Sequence, residues 1–515
     1  MIKNRPRKNF VSSPPRNSNR LLLPSSSVPD SLCEEPLPSK VYENQSNHSF
    51  KKRSQMSNRN RSFKKSIQGK PATQEQKFNC SCSSSLQAES KDLGKQEYIR
   101  QLFYGLETLM PLENGTISSL INLDNAATTP PFKPVMKEIE TQLGMYGTIG
   151  RGIGPKSEHC TRYLAQGRDK IKQFFGPLDD RYTVFYTNST TDGMNKLASA
   201  LITSPDEIVM MTQMEHDAND APWRNRCDVV YVEVDEYGRL DLYDMWNSLE
   251  AYEGRVKIVS VTAVSHVTGY VNDIHEIARM AHEFGAYIVI DGTQITAHRE
   301  VSLLGELGED SDIDFFVFSA HKMYSPYGCG AVIGLIDVLS EHLPEFYIGG
   351  MTDVVYEDEI FYLPLPDSYE GSVNNYPGIV GMLKAFDVLD FISFPYIQEH
   401  EQLLLRQALN GLNAIPEVIV YGDSDDIGDR IGILIFSIEG IGSDYVADRL
   451  AADYGIITSN SDFFCPSYVQ IIQEMSGYIV APGVIRISFG IYTTEEEVEY
   501  FIKAIREIVA GIAYY

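Results

Sequence analysis

The chain of 515 residues contains no run of eighteen apolar residues, which excludes a transmembrane helix built from one continuous apolar stretch. Cysteine is sparse. Seven cysteines stand at positions 33, 80, 82, 160, 227, 329 and 465, too scattered for a disulfide framework, and a reducing compartment is expected. Cys80 and Cys82 form a close pair, but no second pair or histidine cluster accompanies them, so no metal site is expected. Basic residues are also short: 44 Lys and Arg face 70 Asp and Glu, a net charge of −26. The shortage is uneven. Residues 1–90 hold 16 basic against 6 acidic side chains, a surplus of +10, which leaves −36 on the remainder. An acidic body repels phosphates, which argues against nucleic acid as the main partner. Acids are missing from the first 29 residues, and Leu21-Leu22-Leu23 is too short for a secretory apolar region. A basic, Ser-rich stretch of this kind permits organellar targeting. It reads more simply as a disordered basic leader on a cytoplasmic protein with no membrane partner.

What is present sorts along the chain. Residues 1–92 lack apolar periodicity and cannot bury a core. From "KQEYIRQLFYGLETL" onward a helical pattern begins. Seven apolar runs then read as strands: 183–187, 207–211, 229–234, 256–264, 286–291, 314–319 and 330–335. Amphipathic segments such as "DIHEIARMAHEFG" (273–285) lie between several of them. Near-continuous apolar strands alternating with amphipathic helices predict an α/β fold whose mostly parallel sheet is covered on both faces. Ligands of such sheets bind outside the carboxyl ends of the strands. A long helical stretch, "PGIVGMLKAFDVLDFI", leads to "RIGILIFSIEG", "VIRISFGIY" and a closing helix, "TEEEVEYFIKAIREIVAGI". The expected organisation is a leader (1–92), a large domain (93–375) and a smaller α+β domain (376–515).

Four features carry chemistry. The stretch "TNSTTDGMN" (187–195) joins a strand to a helix N-terminus, where Thr190 and Thr191 form either a phosphate seat or a plain helix cap. "AYIVIDGTQ" ends a buried strand on Asp291, with Gln294 three residues later. The carboxylate is either a ligand for a protonated ring nitrogen or a strand-end cap. His216 in "QMEHDAND" follows the strand at 207–211 and is either a ring-stacking proton carrier or a structural histidine. Lys322 in "FVFSAHKMYSPYGCG" stands just past the end of a strand, where an amine must be solvated, paired or chemically used. A partly buried lysine with a lowered pKa is a Schiff-base nucleophile. Phosphate seat, ring-nitrogen acid, stacking ring and Schiff-base lysine together are what pyridoxal phosphate requires.

The sequence resembles the class V aminotransferase family of fold-type I pyridoxal-phosphate enzymes, and within it the cysteine desulfurase and selenocysteine lyase branch. The blocks that carry the resemblance are "LDNAATTPP" (123–131), "GRG" (150–152), "MEH" (214–216), "VTAVSHVTGYVNDIHEIARMAHEFGAYIVIDGTQ" (261–294) and "SAHKMYSPYGCG" (319–330). The resemblance implies roles. Lys322 would hold the cofactor covalently and later move the α-proton. Asp291 would keep the pyridine nitrogen protonated, and Gln294 would bond the phenolic oxygen. His216 would stack on the ring and assist proton transfer. Thr190, Thr191, Ser319 and His321 would hold the phosphate. Ser372 in "YEGSVNN" matches a residue that reaches a phosphate across a subunit interface, so a homodimer is implied. Arg486 would clamp the substrate carboxylate. Read from the residues alone, Arg486 sits in an alternating strand and serves equally as half of a surface ion pair.

The match also departs from the branch. Desulfurases place a nucleophilic cysteine on the loop before the Arg486 strand, which here reads "YGIITSNSDFFCPSYVQ". Cys465 is the only candidate persulfide carrier, but ungapped alignment sets Phe464 at the family cysteine. The family's loop arginine falls on Ser459. The apolar neighbours of Cys465 would raise a thiol pKa. His266 stands where the desulfurases carry asparagine, close to cofactor and substrate. The expected activity is desulfurase-like cleavage of a C–S or C–Se bond in a small amino-acid substrate, releasing alanine and passing sulfur to a possible acceptor protein. The alternative is a class V transamination, racemisation or epimerisation, or β-elimination without a catalytic cysteine.

Overall fold

The computed structural model describes residues 94–306, 308–343, 350–371, 373–477 and 483–512. The basic leader, Cys33, Cys80, Cys82 and Ser372 lie outside the described residues.

Seven strands build the main sheet: β1 (Tyr182–Thr187), β2 (Ile208–Thr212), β3 (Asp228–Val232), β4 (Val256–Thr262), β5 (Tyr287–Asp291), β6 (Phe315–Ser319) and β7 (Gly330–Leu335). They coincide with the seven apolar runs of the sequence. Their spatial order is β1-β7-β6-β5-β4-β2-β3. Strands β2 to β6 pair in parallel, while β7 runs antiparallel to β1 and β6. Alternate residues divide between two cores. Phe316 and Phe318 pack with Phe175 and Phe386 on one face, and Phe315 and Val317 with Met194 and Leu197 on the other. Burial on both faces is why these strands read as continuous apolar runs. Each large apolar side chain so buried contributes about 1.5–3 kcal/mol. Strand β4 stops at Thr262, earlier than its apolar run, because the chain turns back there: Val264 bridges Val271, and Gly269 adopts φ 80°.

Helix α1 (Thr190–Leu201) follows β1 directly, and Ser189 caps it by accepting a hydrogen bond from Asp192 N–H at 3.2 Å. Gly193 lets it lie close on the sheet, since a Cβ there would stand 2.7 Å from Val317 and 2.9 Å from Val332. Helix α2 (Asp217–Arg224) follows β2, and α3 (Ile274–Glu283) connects β4 to β5 behind its cap, Asp273. Helix α4 (Tyr376–Ile392) packs with the first core, and the second core takes over from Leu404 in α5 (Phe394–Asn413).

The second sheet has four antiparallel strands, β8 (Val418–Val420), β9 (Ile433–Ile438), β10 (Ser459–Ser461) and β11 (Val484–Ser488), in the order β8-β9-β11-β10. Helices α6 (Ser443–Tyr454), α7 (Pro466–Met475) and α8 (Glu495–Ile512) complete this part. The segment after residue 120 is stitched to it. Ile121–Asn122 pairs in parallel with Ile456–Ile457, and Ser488 N–H donates to the Leu123 carbonyl at 2.7 Å. That stitch brings Asp124 beside Arg486. Among the described residues no helix is long and apolar enough to cross a membrane.

Candidate active site

The carboxyl ends of β1, β2, β4, β5 and β6 meet one cleft of about 480 Å³. Strand β6 ends on Ser319 and passes into a single tight turn, Ala320–Lys322. The turn is clamped from the 121–132 segment: Thr129 N–H and both Thr128 and Thr129 hydroxyls donate to the His321 carbonyl at 3.0–3.2 Å. Lys322 lines the cleft, and among the described residues its amine makes no hydrogen bond or ion pair. Burial first, and the Arg486 charge second, push its pKa down to about 8, against the pull of Asp291 and Asp124. His321 beside it is pushed down to about 4 by burial and by Lys322.

Strand β5 delivers Asp291, which is buried and accepts a hydrogen bond from Thr293 N–H at 2.9 Å. Burial raises its pKa, and the Thr293 bonds and Lys322 oppose the rise. Thr293 pairs its hydroxyl with that of Thr190 at 2.5 Å, tying the start of α1 to the end of β5. Gln294 donates to the Ala126 carbonyl at 3.0 Å, while its Oε1 has no partner among the described residues. The hydroxyl of Ser319 is likewise buried and unpartnered.

His216 sits between β2 and α2. Its Nδ1 accepts a hydrogen bond from Ala218 N–H at 3.0 Å, which leaves Nε2 as the protonated nitrogen of the neutral ring. Burial, then Lys322, Arg486 and His321, push its pKa down to about 4. Its ring meets that of His266 edge to face at 4.9 Å. His266 is buried and donates from Nε2 to the Phe463 carbonyl at 2.8 Å. Burial holds it well below the ordinary histidine range, and the nearby His216, Lys322 and Arg486 add to that effect. Beneath them Glu215 accepts from the Thr212 hydroxyl, Asn219 amide and Thr262 N–H, and burial pushes its pKa up to about 8.

Arg486 projects from the middle of β11 and is buried. It donates to Asp124 at 3.1 Å and to the His266 carbonyl at 3.0 Å, and its guanidinium lies 4.6 Å from the centre of the Phe463 ring. Of the two readings open from the strand pattern, a surface ion pair does not hold: the pair with Asp124 lies inside the cleft wall. Asp124 is fixed in turn by the Ser459 hydroxyl at 2.7 Å.

The loop after β10 closes the cleft on this side. Ser461, Phe463 and Phe464 have φ of 99°, 54° and 64°, a conformation that costs a non-glycine residue roughly 1–3 kcal/mol each. Several bonds hold it. Besides the His266 bond, Asp217 N–H donates to the Phe464 carbonyl, Phe464 N–H to Asp462 Oδ1, and Cys465 N–H to the Asp462 carbonyl. The result separates two adjacent side chains. Phe464 lines the cleft, 65% exposed, with its ring 5.5 Å from that of His216. Cys465 is 5% exposed and turned into an apolar cluster with Met214, Val267 and Tyr468, its sulfur 3.5 Å from the Gln213 carbonyl. Burial, with Glu215 and other acids nearby, raises its thiol pKa far above the ordinary range.

The cleft thus brings together Thr190, Thr191, His216, His266, Asp291, Gln294, Ser319, His321, Lys322 and Arg486. Cys465 does not line it, and Ser372 lies outside the described residues. Sequence reasoning missed Thr293 and Asp124. Each stands inside a block already quoted, "DGTQ" and "LDNAATT", but its partner is 103 or 362 residues away. Among the described residues no group of three His, Cys, Asp or Glu side chains is placed to hold a metal ion.

Comparison with known proteins follows the same lines. The aminotransferase class-V profile matches residues 121–501. The chain belongs to the class V aminotransferase family. Families of this group are pyridoxal-phosphate-dependent, and this class V chain is identified as an enzyme on that ground. It is 34% identical over 404 residues to a cysteine desulfurase of Haloferax volcanii, a match covering 76% of this chain and 90% of that protein. It is 30% identical over 398 residues to a probable cysteine desulfurase of Halobacterium salinarum, covering 75% and 91%. The apo structure of a cysteine desulfurase from Thermococcus onnurineus superposes with a TM-score of 0.68 at 25% identity, covering 76% of this chain and 95% of that one. An Escherichia coli cysteine desulfurase in S-sulfonic acid form shares the fold with a TM-score of 0.66 at 23% identity, covering 81% and 99%. The α/β fold expected from the strand pattern, and its fold-type I character, are those of these class V structures.

Proposed function

We propose that the chain is a pyridoxal-phosphate enzyme that cleaves the C–S or C–Se bond of a cysteine-class amino acid. The observation that carries this reading is the convergence of Lys322, Asp291, His216 and Arg486 on one cleft whose wall holds buried polar atoms without a partner among the described residues: Gln294 Oε1, Ser319 Oγ and Arg486 Nε. Polar atoms are costly to bury without partners, and this donor set fits a phosphorylated pyridine aldehyde. Lys322 would hold the aldehyde, Asp291 the ring nitrogen, and Gln294 the phenolic oxygen. Thr190, Thr191, Ser319 and His321 would hold the phosphate, with Ser372 assigned to the same group across a homodimer. Bound there, the cofactor supplies an electron sink for bond breaking at the substrate's α-carbon.

The chain's own groups do the rest. With its pKa near 8, Lys322 holds a usable fraction of neutral amine at neutral pH and is suited to take a proton from a substrate carbon and return it. Neutral His216 offers Nε2–H to the cleft because Nδ1 is committed to Ala218. Burial raises the Asp291 pKa, and the Thr293 bonds and the Lys322 charge oppose that rise in favour of the carboxylate. Arg486, backed by Asp124, takes the substrate carboxylate. An exposed apolar hairpin bearing Val354, Val355, Tyr356, Ile360 and Phe361 supports a homodimer. A cytoplasmic setting and a sulfur-acceptor protein complete the proposal.

One observation favours a second reading. Phe464 lies in the cleft and Cys465 outside it, so carriage of sulfur by Cys465 requires the loop to turn. A class V reaction without a protein thiol, such as β-elimination, transamination or epimerisation, needs no such movement. Incubation with L-cysteine and a reductant separates the two. Equal alanine and sulfide mark desulfuration, and their loss in Cys465→Ser assigns that thiol as carrier. Pyruvate with sulfide marks β-elimination. No turnover of cysteine would overturn the desulfurase reading.

A further inference from the structure

We infer that Phe464 is the loop residue that meets the substrate's side chain, that His266 is the positioning residue that holds it there, and that the site therefore takes amino acids with an apolar or thioether side chain. This rests on the reading of the cleft as an amino-acid site and, for C–S cleavage, on its β-elimination form, since a thioether sulfur leaves as a thiol and is not passed on as a persulfide. Phe463 and Phe464 are the only large apolar side chains lining the cleft among the described residues, and Phe463 already faces the Arg486 guanidinium. Phe464 is left 65% exposed, and part of that surface lines the cleft. Apolar surface exposed inside a concave site is surface that a ligand covers. With its carboxylate on Arg486, an amino acid would meet Phe464 across the same cleft, where the Phe464 ring stands 5.5 Å from that of His216. A thioether gains further from sulfur–aromatic contact.

The backbone shows how this placement is maintained. Positive φ at Phe463 and Phe464 persists only where the surroundings fix it. The buried anchor is the His266 Nε2–H bond to the Phe463 carbonyl at 2.8 Å. An asparagine side chain ends one bond short of that nitrogen, whereas glutamine reaches as far. With the anchor in place, Phe464 occupies the cleft and Cys465 stays buried among Met214, Val267 and Tyr468. His266, which also lines the cleft, is thus coupled through its bond to the Phe463 carbonyl to the choice of side chain presented to the substrate.

Two measurements test this. The cofactor absorbance of the holoenzyme is titrated with S-methyl-L-cysteine and with L-alanine. Phe464→Ala should weaken binding of the thioether at least about tenfold and change alanine less than about twofold, with Phe464→Tyr close to wild type. His266→Asn should reproduce the selective loss, and His266→Gln should restore binding, a pattern that general damage to the fold does not give. Equal losses for both amino acids would overturn the inference. Separately, in a Cys465→Ser background, the thiol introduced by Phe464→Cys is labelled with a maleimide and read by peptide mass. It should react at least about tenfold faster than Cys465 of the wild type, and slower reaction would overturn the placement. If wild-type holoenzyme binds neither amino acid, the amino-acid reading and the substrate class fall together, while labelling still decides which residue faces the cleft.

Discussion

Replacing Lys322 by methionine should stabilise the cofactor-free protein, and by an amount that depends on pH. Methionine keeps much of the length of the lysine chain and removes its charge. In the fold the Lys322 ammonium is held down from 10.5 to about 8, chiefly by burial and then by Arg486. At about 1.4 kcal/mol per pK unit, that is roughly 3 kcal/mol of unfavourable charge at neutral pH. The sign follows from proton binding. The folded pKa lies below the unfolded one, so the unfolded chain binds more protons between about 8 and 10.5, and stability rises with pH through that window. Below pH 8 the full penalty stands. The stabilisation by Lys322→Met should therefore be largest at pH 7 and about 2 kcal/mol smaller at pH 9.5. Comparing the two pH values cancels packing differences between the side chains. The assay is urea unfolding of both proteins at each pH, after hydroxylamine treatment to strip any carbonyl compound that would consume the amine. A difference between the two proteins that is the same at both pH values would refute the desolvated amine.

Glu215→Gln should show the opposite slope: the buried carboxyl is pushed up to about 8, so the folded state binds more protons between about 4.5 and 8. The wild type then loses roughly 3 kcal/mol between pH 5.5 and 8.5 that Glu215→Gln does not, measurable by urea unfolding. Gly292→Ala sets a methyl 1.9 Å from Cζ of the buried Phe316 ring. A loss of about 1–3 kcal/mol is expected by thermal or urea unfolding, partly recovered by adding Phe316→Leu, which removes the clashing atoms. Arg486→Lys keeps the charge and loses the planar fork, so KM for an amino-acid substrate should rise about 10–100-fold with a smaller change in kcat, checked by steady-state kinetics.

Legibility in the sequence followed the range of the interactions. The strands of the main sheet stood out because burial on both faces forces apolar residues in a row, as in Phe315 to Ser319. Lys322 stood out because it ends such a run. The partners that complete the site did not, because Arg486 meets Asp124 and Thr190 meets Thr293 only after the chain has folded back. Strand β10 has the sequence Ser-Asn-Ser, which carries no strand pattern, and pairing with β11 imposes its conformation. The separation of Phe464 from Cys465 was hidden for another reason. Three positive φ angles at non-glycine residues decide it, and these depend on contacts from the distant His266, Asp217 and Arg486 as well as on Asp462 within the loop.

The most direct test of the central claim is reduction of the purified protein with borohydride, followed by peptide mapping. A pyridoxyl group is expected on Lys322, with no protein-bound pyridoxyl group in Lys322→Ala. A reduced linkage retained in Lys322→Ala, or found on another lysine of the wild type, would contradict it.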